Sequence, residues 1–246
     1  MQRSIDFNCD LGEGCSSDAA IIPLISSASI ACGGHAGDAV SMRDTLLLCA
    51  RHGVSAGAHP SYPDRANFGR VSLAIDASAL RASLTTQILE LQSIADGLGI
   101  PLRHVKPHGA LYNDAARDAA LADVILDVVR EVDSSLKVVA LAGSVFAARA
   151  RDQGMAVLEE AFVERGYQAD GQLAPRGTPG AVLGSIDESL RQLDDIVRLR
   201  EVRAVTGERI TLQADTVCLH GDRADAAEFA RQLREYLDQM GVEVKA

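Results

Sequence analysis

Short runs of small and β-branched apolar residues recur along the chain, separated by longer segments in which apolar residues return every three to four positions. The first pattern is typical of buried strands and the second of amphipathic helices. The predicted strands are 4–9, 28–32, 54–58, 102–106, 137–142, 156–159 and 216–219. The predicted helices are 40–52, 77–98, 116–132, 144–153, 186–206 and 224–240. This alternation predicts an α/β fold with a parallel sheet.

The seven predicted strands fit either an open doubly wound sheet or a closed, distorted (β/α) barrel. Polar residues follow six of the seven strands. An open sheet gathers ligand-binding loops at one or two points, whereas a barrel directs every loop toward one axis, so the barrel is favoured. No linker, repeat or low-complexity tract interrupts the pattern, so residues 1–246 are predicted to form one domain. The long irregular stretch 160–184 is predicted to be a functional loop.

Composition narrows the class of protein. Hydrophobic residues make up 47% of the chain and aromatic residues 4%, without Trp, which suits parallel strands covered by helices. With 24 Lys and Arg against 34 Asp and Glu, the net charge of −10 argues against nucleic acid and anionic membranes as partners. Five cysteines without CxxC spacing, no signal-peptide pattern and no bilayer-length apolar run predict a cytoplasmic protein.

Four of the six histidines lie in short loops of small residues, each after a predicted strand. Asn, Ser or Asp would turn the chain equally well, so imidazoles at four such places indicate chemistry. The carboxyl ends of parallel strands meet at one edge, so the four side chains are expected to share one cleft. These residues are His35, His59, His108 and His220.

Two carboxylates three residues apart follow the first strand, Asp10 and Glu13. Asp10 can bind a metal or orient an imidazole, and Glu13 can serve as an acid or base; the alternative is an ordinary Asp-x-Gly turn. His35 with Asp38 fits an imidazole whose second nitrogen is held by a carboxylate. The alternative makes Asp38 the N-cap of the next helix and His35 a solvated turn residue.

Proline fixes the backbone beside two of these histidines. His59 precedes Pro60, which holds the histidine in an extended conformation. A proline also lies beside His108, in Lys106-Pro107-His108. The Lys106 ammonium can hold a substrate carboxylate or phosphate, or simply extend from a strand end. His104 and His52 are predicted to be structural.

Familiar cofactor motifs are absent from the sequence. It contains no G-x-x-x-x-G-K-[ST], H-E-x-x-H, G-x-S-x-G or G-x-G-x-x-G pattern, so neither a P-loop nor a dinucleotide fingerprint is predicted. Histidine and Asp at several strand ends can still bind Zn²⁺ or another divalent ion. The candidate ligands are Asp10, His35 and His59, and their spacing leaves the question open.

Read together, these motifs resemble the LamB/YcsF family, the A subunit of prokaryotic ATP-dependent 5-oxoprolinase. The resemblance spans nearly the whole chain. The matching blocks are 6–13, 30–38, 57–64, 68–70, 105–113, 160–162, 170–171, 175–176 and 220–222.

The resemblance implies a seven-stranded (β/α) barrel of the glycoside hydrolase/deacetylase type. It also implies action with two partner subunits, with ATP as co-substrate and Mg²⁺ accompanying it, to open the lactam of 5-oxoproline and give L-glutamate. The expected catalytic residues are Asp10, Glu13, His35, His59 and His108. The expected substrate-binding residues are Lys106, Arg176, Asp38 and His220. Two alternatives stay open: a stand-alone metal-dependent amidohydrolase or deacetylase, and a non-catalytic substrate-binding subunit.

Overall fold

The computed structural model describes residues 4–221 and 225–246. Their main sheet contains eight parallel strands in the order β10-β1-β2-β3-β4-β5-β6-β9, and a further pairing between β1 and β9 closes seven of them into a barrel. The barrel strands are Ser4–Leu11 (β1), Ser27–Ala31 (β2), Ser55–His59 (β3), Leu102–Val105 (β4), Lys137–Leu141 (β5), Val157–Phe162 (β6) and Thr216–His220 (β9). The predicted seven-stranded barrel is therefore confirmed.

The barrel closes through β1, which pairs with β2 on one side and with β9 on the other. Asn8 lies opposite Ser27 of β2 on one side and Cys218 of β9 on the other. The eighth strand, Glu243–Val244 (β10), pairs with the first two residues of β1, outside the closed ring. Residues 201–203 (β7) and 209–211 (β8) form a separate antiparallel hairpin.

Helices cover the barrel on the outside. They are Asp18–Ile21 (α1), Ala39–His52 (α2), Ala77–Leu98 (α3), Gly109–Ala115 (α4), Ala119–Val132 (α5), Val145–Asp152 (α6), Ile186–Asp194 (α7) and Ala226–Gln239 (α8), with a 3₁₀ turn at Ile22–Leu24. Asp38, Asp76 and Asp118 cap α2, α3 and α5 by accepting backbone N–H bonds. No helix in the described ranges has the length and apolar character needed to cross a bilayer.

Strand β1 alternates between two environments. Phe7 and Cys9 are fully buried in the apolar layer under the helices. Asn8 donates to Glu160 of β6, two strands away in the ring, so it points into the barrel. Asp6 on the same face accepts from Ser27 and Thr216. The barrel interior is therefore polar along β1.

The predicted helix over 186–206 is wrong in its second half. Helix α7 stops at Asp194, a π turn spans Asp195–Leu199, and Arg200 then adopts a left-handed backbone with φ 57°. The chain continues as the β7–β8 hairpin instead. A second difference is α4, which begins at Gly109 immediately after His108, where the sequence predicted a loop.

Candidate functional site

The predicted site residues converge at the carboxyl end of the barrel. Asp10 lies near the end of β1, Glu13 in the loop beyond it, His35 after β2, His59 at the end of β3 and His108 after β4. Asp10 and the three imidazoles are buried, and the Glu13 side chain is 5% exposed. Five groups from the ends of four strands and the loops that follow them thus occupy one buried cluster, as expected of a barrel.

Two backbone carbonyls fix the orientation of two imidazoles. Nδ1 of His59 lies 2.7 Å from the Lys106 carbonyl oxygen, and Nε2 of His108 lies 2.9 Å from that of Phe68. A carbonyl can only accept, so these two nitrogens carry the protons. The other nitrogens, His59 Nε2 and His108 Nδ1, then face each other at 2.9 Å. If both rings are neutral, the lone pairs of His59 Nε2 and His108 Nδ1 point at each other.

The backbone around His108 is arranged for this contact. Phe68 has a left-handed backbone, φ 55°, which a non-glycine residue adopts at a cost of about 1–3 kcal/mol. Gly109 also has positive φ, and a Cβ there would come within 2.5 Å of the Gly69 carbonyl oxygen. The close approach of these two segments requires glycine and places the Phe68 carbonyl against His108.

The Glu13 carboxylate lies within 4 Å of a nitrogen of each of the three imidazoles. Its Oε1 lies 3.0 Å from His35 Nε2, 3.4 Å from His108 Nδ1 and 3.9 Å from His59 Nε2. The His35 ring stacks on His108 with centroids 3.6 Å apart and planes 4° from parallel. His35 Nδ1 is buried and has no hydrogen-bond partner among the described residues.

The expected pairing of His35 with Asp38 is wrong. Asp38 is exposed, and its carboxylate accepts from the backbone N–H groups of Val40 and Ser41 as the N-cap of α2. Glu13 takes the place of Asp38 beside His35. The structure does not bring Asp38 into the cluster, so its substrate-binding role stays a prediction.

Lys106 lies between two buried carboxylates. Its Nζ is 2.9 Å from Asp10 Oδ1 and 2.7 Å from Glu160 Oε1, and it donates to Asn8 Oδ1 at 3.2 Å. Burial alone would raise the pKa of Asp10, but His59 and Lys106 together hold that pKa well below its usual value. Burial opposes the charge on Lys106, yet Asp10, Cys218 and Glu160 raise its pKa well above the usual range. Asp10 and Lys106 therefore stay ionised.

The remaining predicted histidine, His220, lies at the end of β9, on the rim formed by the carboxyl ends of the barrel strands. Its Nδ1 hydrogen-bonds Glu164, its ring stacks on Phe162, and its Nε2 lies 4.0 Å from Asp10 Oδ2. Glu164 therefore orients the imidazole toward the cluster. His104, by contrast, is buried inside the barrel with Nε2 3.2 Å from Ser29 Oγ, and burial followed by the charge of Lys106 lowers its pKa to about 3. It stays neutral and structural, and His52 lies exposed on α2.

A cavity of about 790 Å³ opens above the cluster and is lined by Asp10, His59, Lys106, His108 and His220. The long loop between β6 and α7 forms one wall, to which the exposed Arg176 belongs. The loop is held by the buried Arg165, which donates to the carbonyls of Ala181 and Ala174. Burial and the neighbouring Arg176 lower the pKa of Arg165 to about 10, so it remains a cation.

Burial disfavours the charged form of two of the imidazoles, those of His35 and His108. It lowers the pKa of His35, although the Glu13 hydrogen bond opposes this. Burial and the two neighbouring imidazoles, His59 and His35, lower the pKa of His108 well below its usual range. Neutral imidazoles are the form that binds metals and accepts protons.

One group of potential metal ligands is present among the described residues. Glu13, His35, His59 and His108 each offer a ligand atom, and these atoms lie within 4.8 Å of one another. The group shares His35 and His59 with the predicted set and contains Glu13 and His108 in place of Asp10. Asp10 is nevertheless close, with Oδ2 3.3 Å from His59 Nε2.

Glu160 and Glu164 were given no role from the sequence. The sixth strand was predicted to end at residue 159, but β6 extends to Phe162, so Glu160 points into the barrel from within a strand. Two successive acids in an apolar run, Glu159-Glu160, are the signal that was available. The pairing of Glu164 with His220 joins residues 56 positions apart and leaves no local signal.

Solved structures place the architecture among known barrels. A family 4 carbohydrate esterase from Streptomyces lividans is 10% identical with a TM-score of 0.51, covering 98% of this chain and 91% of the esterase. Peptidoglycan deacetylase PdaC from Bacillus subtilis is 12% identical with a TM-score of 0.51, covering 99% and 87%. At these identities the likeness concerns the fold, which is a barrel of the deacetylase type.

The sequence places the chain more narrowly. The model of the LamB/YcsF family matches residues 5–246, and the chain belongs to this family. A crystal structure of a lactam utilization protein from Thermus thermophilus is 41% identical, with a TM-score of 0.91 and 99% of each chain covered. The family predicted from the sequence motifs is confirmed.

Proposed function

We propose that this chain is the barrel subunit of an ATP-dependent 5-oxoprolinase, a hydrolase that converts 5-oxo-L-proline to L-glutamate as ATP is hydrolysed, together with two partner subunits. The observation that carries the proposal is the 41% identity to a lactam utilization protein over 99% of both chains. The polar cluster at the carboxyl end of the barrel supports a hydrolytic role.

The bond to be broken defines what the site has to supply. A five-membered lactam is a resonance-stabilised amide, so its carbonyl needs activation, for which ATP is the co-substrate. One water is consumed in opening the ring and a second in hydrolysing ATP. The ring nitrogen leaves as an amine and must gain a proton, while the attacking water must lose one. The site therefore needs groups that both accept and donate protons.

The cluster contains such groups. We assign Asp10, His35 and His59 to orienting the attacking water, and Glu13 or His108 to proton transfer. Burial and its neighbours lower the pKa of His108, so its imidazole is neutral and able to accept a proton. His220, oriented by Glu164, lies on the same rim.

The substrate's carboxylate needs a cation at the cavity wall. Lys106 already contacts Asp10 and Glu160, so its charge is neutralised within the protein. Arg176 is exposed on the loop that lines the cavity. We therefore place the substrate carboxylate at Arg176 and assign to Lys106 the role of holding Asp10 ionised and in position.

The cluster also fits a divalent metal ion. With Nδ1–H of His59 and Nε2–H of His108 directed at carbonyls, two lone pairs meet at 2.9 Å and repel unless a proton or a cation lies between them. The low pKa of His108 disfavours the proton. Glu13, His35, His59 and His108 would hold the ion, and Asp10 lies beside them. A bound divalent ion would supply Lewis acidity toward a carbonyl or water.

Reconstitution tests the activity. Glutamate formation from 5-oxoproline and ATP is measured with this chain alone and with the two partner subunits. Activity is expected only in the mixture, and the His59→Ala variant is expected to lose at least about 100-fold in turnover. His52→Ala, an exposed histidine on α2, is the matched control and should retain full turnover.

The same assay separates two other functions. A stand-alone amidohydrolase or deacetylase would be active without ATP or partners and would lose activity with a chelator. A non-catalytic binding subunit would leave the turnover number of the His59→Ala complex unchanged and alter only KM or assembly. Either result contradicts the proposed role.

Metal analysis tests the ion separately. Protein loaded with one divalent metal and desalted is assayed for metal content and for circular dichroism. Wild type and His52→Ala are expected to retain stoichiometric metal, and His108→Ala and Glu13→Gln to lose it while remaining folded. Equal metal content in all four proteins would contradict the assignment.

A further inference from the structure

A second cavity lies at the opposite, amino-terminal end of the barrel. It has a volume of about 930 Å³ and is lined by the beginnings of β2–β5 together with residues of α8 and the C-terminal segment. Its position on the far side of the barrel separates it from the cluster around Glu13. Nothing in the proposed reaction uses it.

Cations are concentrated in this cavity. Its lining includes Arg103, Lys137, Arg234 and Lys245, and no Asp or Glu side chain of the described residues. The chain has only three lysines and a net charge of −10, so two of the three lysines serve one cavity in an otherwise acidic protein. A surface of random composition would place acidic side chains there.

Two of these cations are not neutralised. Lys245 is paired with Glu243, and Arg234 with Asp238. Arg103 and Lys137 form no salt bridge with any described residue. Both line the cavity, Arg103 from β4 and Lys137 from the start of the neighbouring strand β5.

The cavity also offers polar and apolar contacts. Ser55 provides a hydroxyl group, whereas the hydroxyls of Ser26 and Ser27 donate to Asp6; Ile25 and Ile100 form apolar parts of the wall. The floor is rigid, because His104 is buried and its ring packs against Gly57. A concave site with a small number of charged and hydroxyl groups is typical of a small-molecule site.

We propose that this cavity binds a small multivalent anion, either a phosphate ester or a polycarboxylate, through Arg103 and Lys137. Two cations in one cavity, neither with an acidic partner among the described residues, match two negative groups of one ligand, and arginine suits phosphate and carboxylate equally through its planar fork. The site is independent of the cluster around Glu13.

Titration calorimetry with pyrophosphate and with citrate tests the proposal, at constant ionic strength and on protein that has been stripped of metal ions with EDTA and then desalted free of it. Saturable one-to-one binding of at least one of the two probes is expected. The Arg103→Gln/Lys137→Gln variant is expected to bind that probe at least about tenfold more weakly. Arg43→Gln/Arg191→Gln, which removes two exposed cations elsewhere, is the matched control and should bind within about twofold of wild type.

A further variant locates the anion. Arg176→Gln alters only the cavity at the carboxyl end, so it should leave the affinity unchanged. Binding that is lost in Arg176→Gln and kept in Arg103→Gln/Lys137→Gln would overturn the proposal, as would the absence of saturable binding by either probe. Pyrophosphate binding without citrate binding identifies a phosphate ester as the ligand class, and the reverse identifies a polycarboxylate.

Discussion

Replacing Lys106 by Met tests whether the buried ion cluster holds the barrel together. Lys106 Nζ lies 2.9 Å from Asp10 and 2.7 Å from Glu160. At an effective dielectric constant of about 20, each pair carries about 6 kcal/mol of attraction, most of which offsets the desolvation of the charges. Removing one partner of a buried pair leaves uncompensated charge, so the free energy of unfolding should fall by about 3–5 kcal/mol at neutral pH.

The deficit of Lys106→Met should depend on pH. In wild type, the pKa of Asp10 is lower in the folded state than in the unfolded state, where it is about 3.9. The resulting stabilisation is fully present above pH 3.9 and is lost only as pH falls through the folded-state pKa. The raised pKa of Lys106 gives stability that is lost only at pH above its usual value. Neither transition falls between pH 5 and 8. In the variant, burial without the ammonium raises the carboxylate pKa values, so the deficit should grow as pH rises across this range.

Urea unfolding followed by circular dichroism at pH 5, 6.5 and 8 measures this deficit. Lys137→Met, an exposed lysine at the start of β5, is the matched control and should change the free energy of unfolding by at most about 0.5 kcal/mol. Lys106→Met/Glu160→Gln should recover part of the loss. A Lys106→Met deficit no larger than that of the control, or one independent of pH, would refute the reasoning.

Three further predictions concern single positions. Asp38→Ala should lower the urea midpoint because it removes the cap of α2. Asp38→Asn keeps a capping oxygen, so it should keep both the midpoint and KM for 5-oxoproline. A raised KM in Asp38→Asn would instead place Asp38 at the substrate. The hydrogen bond from Ser41 N–H is the largest cause of the lowered pKa of Asp38, so the difference between wild type and Asp38→Ala should be largest above pH 4 and shrink as pH falls through the lowered pKa. Gly57→Ala should destabilise by about 1–3 kcal/mol in urea unfolding, since a Cβ there overlaps the buried His104 ring. Gly97→Ala, in α3 with open space around it, should instead be neutral or stabilise by up to about 1 kcal/mol, and a loss comparable to that of Gly57→Ala would contradict the overlap argument.

The barrel and the location of its site were predictable from the sequence. Apolar runs separated by helical periodicity gave the strands, and polar residues after most strands favoured closure. His35, His59 and His108 could be placed together because the carboxyl ends of parallel strands share one end of the barrel. These predictions needed only the pattern of neighbouring residues along the chain.

What the sequence did not reveal depends on contacts between distant residues or on backbone geometry. The choice of Glu13 over Asp38 as partner of His35 is made by the packing of the β1 loop. The end of α7 was missed because its apolar spacing continues past Asp194, and Arg200, which turns the chain, is neither Gly nor Pro. Glu160 was placed in a loop and given no role because its strand was predicted to end at residue 159, three residues before the observed end at Phe162.

The alternation along β1 has a consequence for how the barrel assembles. Asp6, Asn8 and Asp10 face the interior, whereas Phe7 and Cys9 lie under the helices. A slip of β1 by one residue would exchange the two faces, moving the three polar side chains into the apolar layer and leaving the buried acids and ammonium of the opposite wall unpaired. A misaligned β1 is therefore destabilised at three alternate positions, those of Asp6, Asn8 and Asp10. The same side chains that serve the site select the native register of the closing strand.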